Sequence, residues 1–121
     1  MIGEDGRVSE SLPVYAALLA ERRTQALAQQ VALRAAIEDM RLSRSLTFAD
    51  DEHDPEGSTV SLDQARDGAL LDRIERTLDE LAAAQERLAS GTYGRCERCG
   101  LDIPAERLRA RPEARRCIRC V

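Results

Sequence analysis

The sequence predicts a mainly α protein, a long antiparallel coiled-coil hairpin followed by a small cysteine-rich finger. Three observations predict it. Two stretches carry apolar residues at alternating spacings of three and four, the signature of a narrow helical seam. All four cysteines fall between Cys96 and Cys120, as two C-x-x-C pairs. The chain of 121 residues has only three aromatics, Tyr15, Phe48 and Tyr93, and no tryptophan. Ala, Leu, Arg and Glu abound instead, a mix that suits long helices and cannot fill a wide globular core.

Residues 1–10 are polar, contain Gly3 and Gly6, and are expected to form a disordered N-terminus. Residues 11–92 are expected to form the hairpin. Ser11 is suited to cap the first helix, which tolerates Pro13 in its first turn. Its stripe runs through Leu12, Tyr15, Leu19, Ala26, Leu33, Ala36 and Met40, crossing the polar residues Arg22 and Gln29. The second helix has Leu71, Ile74, Leu78, Leu81 and Leu88 on its seam, with Gln85 as a polar insertion. Ser61 and Gln64 have capping-box spacing, with Val60 ahead of them as a staple, and Gly91 stands where a left-handed C-cap is expected. One seam per helix and a short connection imply two antiparallel helices packed seam to seam, each about 45 Å long if about 30 residues rise 1.5 Å apiece.

The connection, residues 47–60, contains Pro55 and Gly57 and is read as a loop. It holds five acids between positions 50 and 56: Asp50, Asp51, Glu52, Asp54 and Glu56. Like charges this dense destabilise a loop, so a purely structural purpose is hard to find for them. Asp51, His53 and Asp54 offer metal-binding atoms, but a single histidine in a loop is ordinarily exposed and the reading here is an acidic tip.

Residues 93–121 are expected to form the finger. Cys96 and Cys99 are separated from Cys117 and Cys120 by a 17-residue connection, within the spacing of four-cysteine zinc sites. Two intervening residues let a turn aim two sulfurs at one point, and two such turns complete a tetrahedral shell. Four cysteines leave no open coordination position, so one structural Zn²⁺ is expected on Cys96, Cys99, Cys117 and Cys120. Gly100 follows the first pair where a turn favours positive φ. Eight arginines against four acids lie in residues 95–121, and such cations are expected to help keep the thiols ionised.

Charge is divided along the chain. Residues 1–94 hold 10 Arg and 18 acids, whereas the finger is basic, and the chain has no lysine. The finger's cationic excess is small for non-specific duplex binding. No nucleophile–base pair, phosphate loop or open metal site is present, so no enzyme activity is expected. Leu12–Ala20 lacks the positive flank of a signal peptide, and no apolar run reaches membrane-spanning length. Reduced C-x-x-C pairs agree with the cytoplasm, and a monomer is expected.

Gly94-Arg95-Cys96-Glu97-Arg98-Cys99-Gly100, Arg107-Leu108-Arg109-Ala110-Arg111-Pro112 and Cys117-Ile118-Arg119-Cys120, preceded by a heptad hairpin with an acidic tip, together resemble the DksA/TraR family of bacterial regulators. The resemblance is sharpest from Tyr93 to Cys120. It implies a protein that binds core RNA polymerase, inserts the coiled-coil tip through the secondary channel toward the active site, and reads no DNA sequence. Asp51, Asp54 and Glu56 are then the residues of the tip that act near the catalytic machinery. The family's tip pattern is Asp-x-x-Asp-x-Ala. Aligning it on Asp54-Pro55 places Gly57 at the second acid; aligning it on Asp51 and Asp54 places Glu56 at the alanine. Both registers stay open. The chain ends at Val121, without the C-terminal helix of larger members, and its lack of lysine argues against a guanosine tetraphosphate site. Two other functions compete: a nucleic-acid-binding finger using Arg107, Arg109, Arg111, Arg115, Arg116 and Arg119 on phosphates, and a structural adaptor or dimeric coiled coil whose partner is set by Arg22, Gln29 and Gln85.

Overall fold

The protein is described by a computed structural model that covers the backbone of residues 2–48 and 56–121, with side chains described for 12–46 and 62–121. Helix α1 spans Ile2–Phe48 and α2 spans Glu56–Ser90; a short α3, Ala105–Ala110, and a single 3₁₀ turn at Ile118–Cys120 follow. The two long helices form a hairpin, and no strand occurs among the described residues. No helix among them is long and apolar enough to cross a membrane.

Both long helices exceed the bounds read from sequence. Residues 2–10 fall within α1, and Ser11 and Pro13 lie inside it rather than at its start. At the other end, α1 continues to Phe48, and α2 begins at Glu56 rather than at Ser61. Gly57 thus sits in the first turn of α2, where backbone N–H groups have no intrahelical partner and a poor helix former does least harm. The connection shortens to 49–55. Asp51, His53 and Asp54 lie outside the described residues, as do the side chains of Glu56, Val60 and Ser61.

The chain divides into two compact units. One comprises Met1–Gln25 with Leu78–Val121, and the other Ala26–Thr77. In the second unit the helices are antiparallel: Gln30 and Arg34 meet Glu75, while Arg44, further along α1, meets Gln64, earlier in α2. Arg34 first, then Gln30, hold the Glu75 carboxyl below its usual pKa range. Ala26 and Ile74 are buried here. The stripe on α1 departs from the expected one after Ala26. Gln29 and Ala36 are exposed, and Gln30 and Ile37 take the half-buried positions beside Leu33 and Met40. The step from Arg22 to Ala26 to Gln30 is two successive fours, the local adjustment by which a 3.6-residue helix corrects its drift against a seven-residue repeat.

The core of the first unit is built on Tyr15 and Leu19 of α1, Leu81 and Ala84 of α2, and Tyr93, Cys96, Ile103, Leu108 and Pro112 of the segment that follows. Leu81, read as a seam residue, is 1% exposed, whereas Leu78 and Leu88 are half-buried. Ala84, beside the expected Gln85, is fully buried. Helix α2 ends as its sequence demands. Gly91 has φ 86°, and the Thr92 amide donates to the Arg87 carbonyl at 2.9 Å, closing a Schellman motif that satisfies an orphan carbonyl.

Candidate metal centre

Each cysteine pair sits on a turn that its own residues dictate. Gly100 adopts φ 77°, which lets its amide return to the Cys96 carbonyl at 3.0 Å, while the Cys96 amide bonds the Leu101 carbonyl at 2.8 Å. Arg95 and Asp102 form an isolated antiparallel bridge across this turn. The second pair frames the 3₁₀ turn, Cys117 as its N-cap and Cys120 as its last residue, with the Cys120 amide on the Cys117 carbonyl at 3.0 Å. The Glu97 amide donates to the Arg115 carbonyl at 2.9 Å and so ties one turn to the other.

These turns gather Cys96, Cys99, Cys117 and Cys120, whose sulfurs all lie within 4.8 Å of one another. Cys99 and Cys117 sulfurs are 3.7 Å apart, and those of Cys117 and Cys120 are 3.6 Å apart. A tetrahedral zinc ion with Zn–S bonds of about 2.3 Å requires sulfur–sulfur edges of about 3.8 Å. The donor set therefore fits zinc in number, chemistry and edge length. Cys96 and Cys117 are buried, Cys120 is half-buried and Cys99 is exposed. Four thiols this close compete for ionisation unless a cation compensates them. Backbone N–H groups, that of Cys99 foremost, draw Cys96 down to about 6, whereas the adjacent Cys117 sulfur pushes Cys120 up to about 12.

It is backbone N–H groups that favour the Cys96 thiolate. Three of the finger's arginines turn to protein partners: Arg107 Nε donates to the Arg116 carbonyl at 2.7 Å, Arg115 Nε to Glu80 at 2.6 Å, and Arg116 Nε to Glu97 at 2.9 Å. Beneath the metal site, the Tyr93 hydroxyl donates to the Pro112 carbonyl at 2.8 Å, and the Tyr15 and Tyr93 rings stack tilted with centroids 5.4 Å apart. Burial raises the Tyr93 phenol well above its usual pKa. Sequence alone gives no role to Tyr93 and does not single out Glu80. A tyrosine three residues ahead of the first ligand, in a chain with so few aromatics, was the available signal for Tyr93; Glu80 carried none.

The finger, at residues 91–120, matches the family model described as the prokaryotic dksA/traR C4-type zinc finger. RNA polymerase-binding transcription factor DksA of Escherichia coli is 38% identical over 55 residues, which is 46% of this chain and 32% of that protein. General stress protein 16O of Bacillus subtilis is 35% identical over 68 residues, 56% of this chain and 42% of that protein. The chain thus spans less than half the length of these curated relatives. The solved structure of transcription factor DksA2 from Pseudomonas aeruginosa superposes with a TM-score of 0.77 at 25% identity, over 92% of this chain and 80% of that one. Cysteine geometry and family model agree on one structural zinc ion held by Cys96, Cys99, Cys117 and Cys120.

Proposed function

We propose that this chain, a DksA/TraR-type C4 zinc-finger protein, is a regulator of transcription that binds core RNA polymerase in the cytoplasm through the secondary channel and presents the acidic segment 50–56 near the active site. The observation that carries this reading is the match in fold to a DksA-type transcription factor over nearly the whole chain, finger and hairpin together. In the sequence, Asp50, Asp51, Glu52 and Asp54 fall between the end of α1 and the start of α2, and Glu56 is the first residue of α2. In this role the zinc ion acts only as a structural centre. It fixes two turns, and the finger so formed is the docking element, while Asp51, Asp54 and Glu56 supply charge at the polymerase active site.

Binding to nucleic acid as the primary activity is less well supported. Of the six arginines available for phosphate contacts, Arg107, Arg115 and Arg116 are engaged within the protein. The adaptor reading also weakens, because Arg22 donates to the Ala110 carbonyl and Gln29 lies off the seam. The test is retention of the zinc-loaded chain on core RNA polymerase from the same organism, with and without a competing secondary-channel factor. Retention that the competitor abolishes is expected. Retention on duplex DNA alone, lost with salt, would favour the nucleic-acid reading instead.

A further inference from the structure

Residues 110–116 carry the chain from α3 to the second cysteine pair, and every carbonyl along them accepts a hydrogen bond. Two of those bonds come from backbone amides, Ala114 to the Arg111 carbonyl and Glu97 to the Arg115 carbonyl. The other five come from side chains. Arg22 of α1 reaches the Ala110 carbonyl at 3.4 Å, and Tyr93 reaches that of Pro112 at 2.8 Å. One Arg87 nitrogen, from α2, forks between the carbonyls of Glu113 at 3.3 Å and Ala114 at 3.4 Å, and Arg107 of α3 closes on that of Arg116 at 2.7 Å. The segment is therefore a strap whose backbone is held by one guanidinium from each of the three helices and by a phenol. Its own side chains return the grip, Arg115 on Glu80 of α2 and Arg116 on Glu97 of the first cysteine turn. Pro112, at its centre, is fully buried.

We propose that Arg87 is a positioning residue that latches this strap to α2 and so fixes the seat of the zinc finger on the helices. A guanidinium suits the task because its rigid plane fixes the two N–H bonds of one terminal nitrogen toward the neighbouring carbonyls, whereas an ammonium on a flexible stem is more strongly hydrated and less directed. Burial works against the charge on Arg87 and lowers its pKa, while Glu80 acts in the opposite sense. Arg87 lies in the last turn of α2, and its carbonyl takes the Schellman bond from Thr92. The end of the helix and the latch are thus the same residue. Resting on the polymerase reading above, the latch keeps the finger seated on the helix ends of its own unit while the finger is docked.

The test uses the full zinc-loaded chain with Arg87→Gln and Arg87→Lys, read by hydrogen exchange of residues 111–116 and by the near-ultraviolet dichroism of Tyr15 and Tyr93. Zinc content and far-ultraviolet helicity are measured alongside. Arg87→Gln is expected to speed exchange of the strap by about tenfold, the scale of a local opening, and to weaken the tyrosine signal, with zinc and helicity unchanged. Arg87→Lys should fall between it and wild type. Wild-type exchange and tyrosine signal in Arg87→Gln overturn the proposal. If Arg87→Gln loses zinc or helicity, Arg87→Lys decides: intermediate exchange in a folded chain supports the latch, and wild-type exchange overturns it. Polymerase assays are scored separately. A wild-type chain that fails to bind polymerase refutes the functional reading alone, because the exchange result does not depend on it.

Discussion

Replacing Leu81 with alanine removes three carbons from the most completely buried large side chain of α2, 1% exposed. At about 0.8 kcal/mol per buried carbon, the transfer term is roughly 2.4 kcal/mol. A cavity of a few tens of Å³ adds up to about 1 kcal/mol, so the expected loss is about 3 kcal/mol. Leu78 is only half-buried, and the same substitution there should cost about half as much. Leu70, 43% exposed and beside the seam, should cost less than about 1 kcal/mol. Urea unfolding followed by far-ultraviolet dichroism, on zinc-loaded protein, measures all three. For a chain of this length a loss of 3 kcal/mol corresponds to a fall in Tm of roughly 12 °C. Equal losses at Leu81 and Leu70 would show that the buried face of α2 has been misassigned.

Four further outcomes are expected. Native mass spectrometry should find one zinc per chain, and chelation should abolish the tyrosine dichroism while leaving most of the helicity, because small metal fingers draw their folding energy from the ion; zinc-free, natively purified, reduced protein would contradict this. In Tyr15→Phe protein, the phenol of Tyr93 should ionise well above the ordinary value of about 10 on titration at 295 nm. The unfolded chain then gives up this proton first, so the stability due to the buried phenol is complete below about pH 10 and is lost as pH rises beyond it. Glu80→Gln should cost no more than about 1 kcal/mol and less in high salt, since both members of the Arg115–Glu80 pair are well exposed, and a double-mutant cycle with Arg115→Gln measures it. Neutralising Asp51 and Asp54 together, as Asp→Asn, should leave polymerase affinity within several-fold of wild type, at about 0–1 kcal/mol per exposed contact, and abolish the effect on transcription in vitro; an unchanged effect would return these acids to a solvated loop.

The hairpin, the finger and the four sulfur donors were all legible in the sequence because each leaves a local mark. Seam leucines recur at helical spacing, Gly91 and Gly100 stand where positive φ is required, and C-x-x-C turns converge by geometry. The helix limits were less legible. Gly57 and Pro13 argue against helix as residue types, yet Gly57 occupies a first turn, and the amide bond that Pro13 forfeits and the carbonyl that its ring crowds are a local cost within a 47-residue helix. The exchange of Gln29 and Ala36 for Gln30 and Ile37 was hidden because either choice continues a pattern of threes and fours. The strap was invisible for a different reason. Its bonds join Arg22 and Arg87 to carbonyls 88 and 26–27 positions away, and a carbonyl has no residue type to read. Arg22, an unexplained gap in the apolar stripe, is accounted for once Ala110 is found opposite it.

The proposal that the acidic segment works inside RNA polymerase has a direct physical readout. It is tested most directly by placing a photoreactive residue at position 51, assembling the zinc-loaded chain with core polymerase, and mapping the crosslinks. Crosslinks are expected to polymerase residues lining the secondary channel close to the catalytic metal, and to be lost when a competing secondary-channel factor is added. Crosslinks confined to the outer surface of the polymerase, or none from a chain that is nevertheless retained on it, would show that the segment does not enter the channel.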